Sequence, residues 1–397
     1  MTIDNEHPLT GLDVDLGPTR ASPMYLAVLT LGAVLTAVLP AVYLGLIAMA
    51  AWATVLFAQT QVGILSSGTH VLLAFAMYLA PIFCGGMLVV SMVRALFVPR
   101  HAKPQVVLVE RADDPMLYLF VERLARLVHA PAPARIEVTS EVTAYVRLGD
   151  SALSLAGGDA TVTLGLPLLR SMSRAQVAAI LAHELGHLSQ GLAMRLTWFM
   201  DTVIGWLWMM VHWREGDEEM DAAMADSQWF IQLPYLVARL FLWLVRGVLF
   251  ILLQAAIALR LLLARQEEFG ADRRAIRLVG SKEFADALTR LVTLQLTEAW
   301  ARARWAQNGS LPPDVSVSLA ESVAALPPQL AKDVQRAIRA GTTRWHDTHP
   351  SDKDRIAAAW RLSERGVYRH ASPASGLVRD IDRLGRASTS ARYPSKR

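Results

Sequence analysis

His183 and His187 stand four residues apart, with Glu184 directly after the first, in the run Ser173 to Gly191, SRAQVAAILAHELGHLSQG. On an α-helix, positions four apart share a face, so the two imidazoles can be pointed at one metal ion. Glu184 lies about 100° round such a helix from His183, where it reaches water beside the ion without being a ligand. Those residue types at that spacing suit metal-assisted hydrolysis: two neutral nitrogen ligands and a carboxylate base. A chance H-E-x-x-H arises at a rate on the order of a per cent, mostly without helical context. Here Ser173 and Gln176 form an S-x-x-Q capping box that starts the helix, and Gly191 offers a stop. Two histidines hold a catalytic metal poorly, because such a site uses three protein ligands and one open position.

A third ligand has to come from elsewhere, and Arg265 to Arg274 supplies candidates on a stretch that reads as helix. Glu268 and Asp272 are four apart and share a face, so one can ligate while the other hydrogen-bonds a ligand imidazole. Glu267 points elsewhere. Taken alone, E-x-x-x-D is common on solvated helices.

The elements that must position these groups are unusually apolar. Hydrophobic residues make up 53% of the 397-residue chain, and the mean hydropathy is +0.32. The excess is concentrated: Met24 to Phe57 and Val71 to Val93 contain no charged residue, and each exceeds the roughly 20 residues that cross a bilayer. Pro40 marks a kink or an interfacial stretch in the first. Asp4, Glu6, Asp13 and Asp15 ahead of this long run argue against a signal peptide. The link from Ala58 to His70 has no Lys or Arg, whereas Arg94, Arg100 and Lys103 follow the second run, which puts both flanks of the hairpin on the cytoplasmic side. A second hairpin is expected from Leu196 to Trp213 and Leu233 to Leu263, joined by the acidic link Arg214 to Gln232. Asp201, Arg239 and Arg246 interrupt it, so it spans or lies partly in the interface. Depth counting argues against a direct Asp201–Arg246 pair. The single Cys84 excludes an intramolecular disulfide, and its place inside an apolar run argues against a reactive thiol. The net charge of +4 is spread through the chain without a nucleic-acid signature, so no nucleic acid is expected as a partner.

Between the hairpins the pattern becomes that of a small α+β unit. Val106 to Val109, Ile136 to Val138, Val142 to Arg147 and Ala160 to Leu164 read as strands, and Met116 to Val128 as an amphipathic helix. One of these strands can be an open edge on which an extended peptide pairs its backbone; equally, any one can be an ordinary structural strand.

HELGH, two flanking pairs of apolar segments and E-E-F-G-A-D-R-R (Glu267 to Arg274) together resemble the HtpX and CAAX prenyl protease family of membrane-integrated zinc metallopeptidases. The likeness runs from about Met24 to Ile356, including T-L-G-L-P-L-L (Thr163 to Leu169) and T-H-P-S-D-K-D-R-I (Thr348 to Ile356), and four apolar segments look like the HtpX branch. It implies an α-helical membrane protein with four transmembrane segments and a cytoplasmic α+β gluzincin-type zinc metalloprotease domain. Carried over by position, it makes Glu268 the third Zn2+ ligand beside His183 and His187, Asp272 its supporting partner and Glu184 the base. His349 of the T-H-P segment would lie near the site as an oxyanion donor, or else simply start a helix before Pro350; Arg355 would organise that loop through carboxylates. Where relatives carry an Asn-Ala pair on the substrate-guiding strand, this chain has Thr143, Ala144 and Tyr145. His346, His212, His129 and His70 have no partner at ligand spacing.

The expected divisions are a cytoplasmic tail (1–22), a first hairpin (23–98), a catalytic unit with the HELGH helix (99–195), a second hairpin (196–264), a helical catalytic unit with the third ligand (265–370) and a flexible tail (371–397). Residues 280–342 read as a lid or docking surface. The implied function is a zinc endopeptidase of a bacterial inner membrane that acts on membrane proteins or peptides in quality control. Its rivals are a processing protease for a specific, possibly lipidated, substrate and an inactive zinc-binding scaffold.

Overall fold

The computed structural model describes residues 9–17, 23–66, 70–97, 105–147, 160–189, 192–212, 221–222, 224, 227–343 and 349–393. The elements in chain order are α1 (Pro23–Thr60), α2 (Val71–Ala95), β1 (Val107–Val109), α3 (Pro115–Leu127), β2 (Arg135–Thr139), β3 (Ala144–Arg147), β4 (Thr161–Gly165), α4 (Leu166–Ser171), α5 (Arg174–Leu188) and α6 (Leu192–His212). There follow α7 (Trp229–Val279), α8 (Ser281–Asn308), α9 (Val315–Ala324), α10 (Pro328–Ala340), α11 (Asp352–Leu362) and α12 (Ile381–Arg392). Two compact units result, an apolar one from Pro23–Ala102 and Leu196–Arg260, and a second from Met1–Ser22, Lys103–Arg195 and Leu261–Arg397.

In the apolar unit, α1 runs for 38 residues, with Pro40 inside it. At 1.5 Å per residue that is about 57 Å, well beyond the roughly 30 Å of bilayer hydrocarbon. Among the described residues three helical stretches are long and apolar enough to cross a membrane: Pro23–Ser66, Val71–Ala95 and Gln232–Val279. The expectation of four segments is therefore met by three. The missing one does form a helix, α6, but Arg195, Asp201 and the indoles of Trp198, Trp206 and Trp208 dilute its apolar character. Asp201 finds its partner in Arg260, fourteen residues beyond Arg246: Arg260 donates to its two carboxylate oxygens from Nε at 2.8 Å and Nη2 at 3.2 Å. Tyr43 anchors the packing, fully buried, with its hydroxyl donating to Met92 O at 2.9 Å and Leu207, Leu249 and Leu253 in the same cluster.

The second unit is built on a four-stranded sheet of order β1-β2-β4-β3, with β2 and β4 parallel and the outer pairs antiparallel. Alternation does the work in the centre: Ile136, Val138, Val162 and Leu164 are all buried. Against them pack Leu117, Phe120, Val121 and Leu124 of α3, and the apolar residues of α5. Tyr118 ties helix to sheet, its hydroxyl donating to Val109 O at 2.8 Å and accepting from Ile136 N at 3.2 Å. The capping box of α5 is present in full: Ser173 Oγ accepts from Gln176 N, and Gln176 Oε1 from Ser173 N, each at 3.2 Å. This helix ends at Leu188 with Ser189 as its cap, and Gly191 lies outside the described residues.

Segments distant in sequence complete this unit. Leu9 and Leu12, from the expected N-terminal tail, are buried in its core, and Thr10 O lies 2.8 Å from His370 Nε2. Residues 280–342 contribute Phe284, Leu288, Val315 and Leu319 to the same core. The expected flexible tail from 371 is a correction: α12 packs on β1 and β2, and Leu384 and Leu377 join the core. Its Ser- and Arg-rich composition hides an amphipathic stripe, Ile381, Leu384 and Ser388, at helical spacing. Leu384→Ala should therefore cost about 2–4 kcal/mol in the chemical unfolding of the detergent-solubilised protein, whereas a loose tail would leave the midpoint unmoved.

Candidate metal centre

Three elements converge on the site. α5 presents His183 and His187 on one face, as the i, i+4 spacing requires, and α7 presents Glu268 and, one turn later, Asp272. The two helices approach closely because Gly186 carries no side chain: a Cβ there would stand 3.3 Å from Ala271 Cα. Arg274 Nη1, also on α7, donates to Gly186 O at 2.8 Å and closes the same joint. Neither Gly186 nor Arg274 stood out in the sequence; the signal available was a glycine and an alanine at the centres of HELGH and E-x-x-A-D.

The candidate ligand atoms lie close together. His183 Nε2 and His187 Nε2 are 3.3 Å apart, His183 Nε2 is 3.4 Å from Glu268 Oε2 and His187 Nε2 is 3.4 Å from Glu268 Oε1. Ligand atoms on a tetrahedral ion with bonds of about 2.0–2.1 Å stand about 3.3–3.4 Å apart, the spacing of each of these pairs, and one atom from each of the three residues lies within 4.8 Å of the other two. Glu268 Oε2 is buried without a hydrogen-bond partner, an atom that a cation would satisfy. The donor set and its spacing thus fit a metal ion.

Behind the ligands, His183 Nδ1 lies 2.8 Å from Asp272 Oδ1, which fixes the proton on Nδ1 and leaves the Nε2 lone pair for a metal. Arg355 chelates Asp272 in turn, Nε to Oδ2 at 2.9 Å and Nη2 to Oδ1 at 2.5 Å. His349 Nδ1 lies 2.8 Å from Glu268 Oε1, its ring largely exposed. Glu184 is half-buried on α5. Glu267 is buried and is not one of the clustered groups, which are His183, His187 and Glu268. Ala144 and Tyr145 lie on β3, with Thr143 just before it; Thr143 O accepts from Gly165 N at 2.7 Å. β3 is at the edge of the sheet, packed beside α5. His129 pairs with Asp15 at 3.1 Å, His212 stacks on Trp208, His70 precedes α2, and His346 lies outside the described residues.

Electrostatics divide the two imidazoles. Burial opposes charge on His183, but the neighbouring carboxylates of Asp272 and Glu268 outweigh that and push it up to about 9. Burial and the neighbouring His183 take His187 down to about 3. Burial also raises Glu184. The metal-free cluster therefore carries a proton on His183 at neutral pH.

Residues 112–363 match the profile of Peptidase family M48. The chain belongs to that family. The match encloses α3 through α11, and so His183, Glu184, His187, Glu268, Asp272, His349 and Arg355. This M48 chain is HtpX-like: it is 28% identical over 204 residues to the Protease HtpX of Ectopseudomonas mendocina, covering 51% of this chain and 59% of that protein. The Protease HtpX of Stutzerimonas stutzeri is 28% identical over 208 residues, 52% and 60% of the two chains, and that of Pseudomonas fluorescens 31% identical over 133 residues, 34% and 42%. The chain spans 59–60% of the length of the first two relatives. No solved structure matches it.

A metal that needs His183 neutral must displace its proton. Uptake of Co2+ at pH 7 should release close to one proton into weakly buffered solution, and affinity should rise with pH up to about 9 and fall as pH drops. Asp272→Asn should weaken chelator-competed binding about 10–100-fold while the fold persists by circular dichroism.

Proposed function

We propose that this chain is a membrane-integrated zinc endopeptidase with a gluzincin-type site on the cytoplasmic face of a bacterial inner membrane, acting on membrane proteins or their exposed segments in quality control. The observation that carries the reading is the cluster of His183, His187 and Glu268, with Glu184 on the same helix as the two imidazoles. Two imidazoles and one carboxylate suit zinc best among common divalent ions. The M48 match and the resemblance of the flanking motifs support peptide hydrolysis as the chemistry.

Zinc, when bound, supplies a Lewis acid that polarises a carbonyl and lowers the pKa of water from 15.7 to about 7. Glu184 takes the proton of the attacking water and hands it to the leaving amine; the raised affinity for protons that burial gives it suits both halves of that transfer. Asp272, locked by Arg355, keeps His183 in the tautomer that leaves Nε2 free. His349, its Nδ1 against Glu268, keeps Nε2 to donate, when protonated, to a developing oxyanion. The outer edge of β3, with Thr143, Ala144 and Tyr145, accepts an extended substrate by main-chain pairing, which demands little of its sequence.

The absence of Lys and Arg between α1 and α2, against Arg94, Arg100 and Lys103 after them, supports the cytoplasmic placement. α6 serves as the fourth segment by lying partly in the interface, its tryptophans at headgroup level and Asp201 neutralised by Arg260.

The test is a comparison of wild type with Glu184→Gln in detergent. The variant should keep stoichiometric zinc and lose casein cleavage by about 10²–10⁴-fold. Equal cleavage by both, or zinc in neither, would sink the proposal. His349→Ala should retain zinc and show a smaller loss confined to turnover.

A further inference from the structure

Helix α11 starts on an S-x-x-D pattern, with Ser351 as its cap and Asp354 three residues on. Ser351 Oγ accepts from Asp354 N at 3.2 Å. In a full capping box the side chain at the second position reaches back to the cap's own N–H, and Glu or Gln has the length for it. Gln176 does so at the start of α5, where Ser173 N donates to its Oε1 at 3.2 Å. Asp354 is one methylene shorter than Glu, and the return bond is made by a third residue. Ser351 N donates to Thr343 Oγ1 at 2.8 Å, and that hydroxyl donates to Asp354 Oδ2 at 2.5 Å. We propose that Thr343 is a positioning residue of the metal centre, its hydroxyl bridging this cap so that His349 and Arg355 are held against Glu268 and Asp272. Its effect on turnover rests on the peptidase reading above; its effect on metal affinity does not.

The bridge fixes a point that the helix alone does not. Ser351 Oγ also donates to Asp354 Oδ2, at 2.8 Å, so two hydroxyls converge on one carboxylate oxygen and hold that carboxyl below the usual carboxylate range. Bonds to an ionised acceptor are about twice as strong as neutral ones. The chain leaving α10 runs against the cap: a Cβ at Gly341 would stand 3.5 Å from Ser351 Cβ. Two residues before Ser351, His349 Nδ1 lies 2.8 Å from Glu268 Oε1. Four residues after it, Arg355 donates its N–H to Ser351 O at 3.0 Å and chelates Asp272, the carboxylate behind His183. One fixed helix start therefore serves two of the three candidate ligands, Glu268 directly and His183 through a carboxylate.

The experiment uses the full chain in detergent, at a temperature at which each variant keeps the wild-type circular dichroism spectrum. Thr343→Val keeps the shape and loses the hydroxyl; Thr343→Ser keeps the hydroxyl. Thr343→Val should bind Zn2+ about tenfold more weakly in chelator competition and, when zinc-saturated, cleave casein with kcat about tenfold lower at unchanged KM, the lower end of what losing an outer partner of a metal site costs. Thr343→Ser should match wild type in both. Adding Asp354→Glu to Thr343→Val supplies a carboxylate long enough to reach Ser351 N and should recover both values; this double variant decides the matter where Thr343→Val alone does not fold. Wild-type affinity and kcat in folded Thr343→Val, equal losses in the Ser and Val variants, or a folded double variant with both losses intact would each overturn the proposal. If wild type binds zinc but cleaves no casein, the peptidase reading fails and the affinity comparison still decides on Thr343.

Discussion

The joint between α5 and α7 is the constraint from which the rest follows. A candidate metal centre whose ligands come from two helices and lie about 80 residues apart in the chain tolerates little slack, because a ligand displaced by an ångström no longer reaches the common point. Gly186 against Ala271 removes the side-chain layer that normally separates packed helices by 8–10 Å. Arg274 then pins the α5 backbone from the α7 side with a hydrogen bond to Gly186 O. The shell behind the ligands has the same economy: one guanidinium, Arg355, fixes one carboxylate, Asp272, which fixes one imidazole. Three segments of chain are thereby held to one point by charge-assisted bonds, the kind that combine strength with direction.

Local signals made the centre of this arrangement legible. The i, i+4 spacing of His183 and His187, the same spacing of Glu268 and Asp272, and the Ser173–Gln176 box are helix-level patterns that do not depend on what packs around them. The strands were legible for the same reason, since Ile136, Val138, Val162 and Leu164 alternate. What sequence reading missed is long-range. Arg260 as partner to Asp201 depends on the pairing of α6 with α7, and nothing in either segment's composition distinguishes Arg260 from Arg246. The tail after His370 looked loose because its apolar residues are sparse, and sparse apolar residues still suffice when they fall on one face of a short helix. Leu9 and Leu12 gave no signal at all.

The apolar unit shows how polarity is handled where water is scarce. Tyr43 buries its hydroxyl against a backbone oxygen, Thr36, Thr54 and Thr60 turn theirs onto carbonyls one helical turn back, and Asp201 meets a guanidinium at two oxygens. Each is the inexpensive solution for its group, since an unsatisfied donor or an unpaired charge is far costlier than the constraint of satisfying it. The apolar remainder of the surface is then free to be set by the dimensions of hydrocarbon.

The second unit closes its core with residues from both directions of a long chain. Leu9 and Leu12 lie ahead of α1, and Leu384 sits on α12, while the sheet and α5 fall between residues 107 and 188. During synthesis α5 therefore emerges long before Leu384 and the other C-terminal residues of the core, and native contacts of such high sequence separation form late. In that order His183 and His187 are made about 80 residues before Glu268, so the three groups of the candidate metal centre first coexist only when most of α7 has been synthesised.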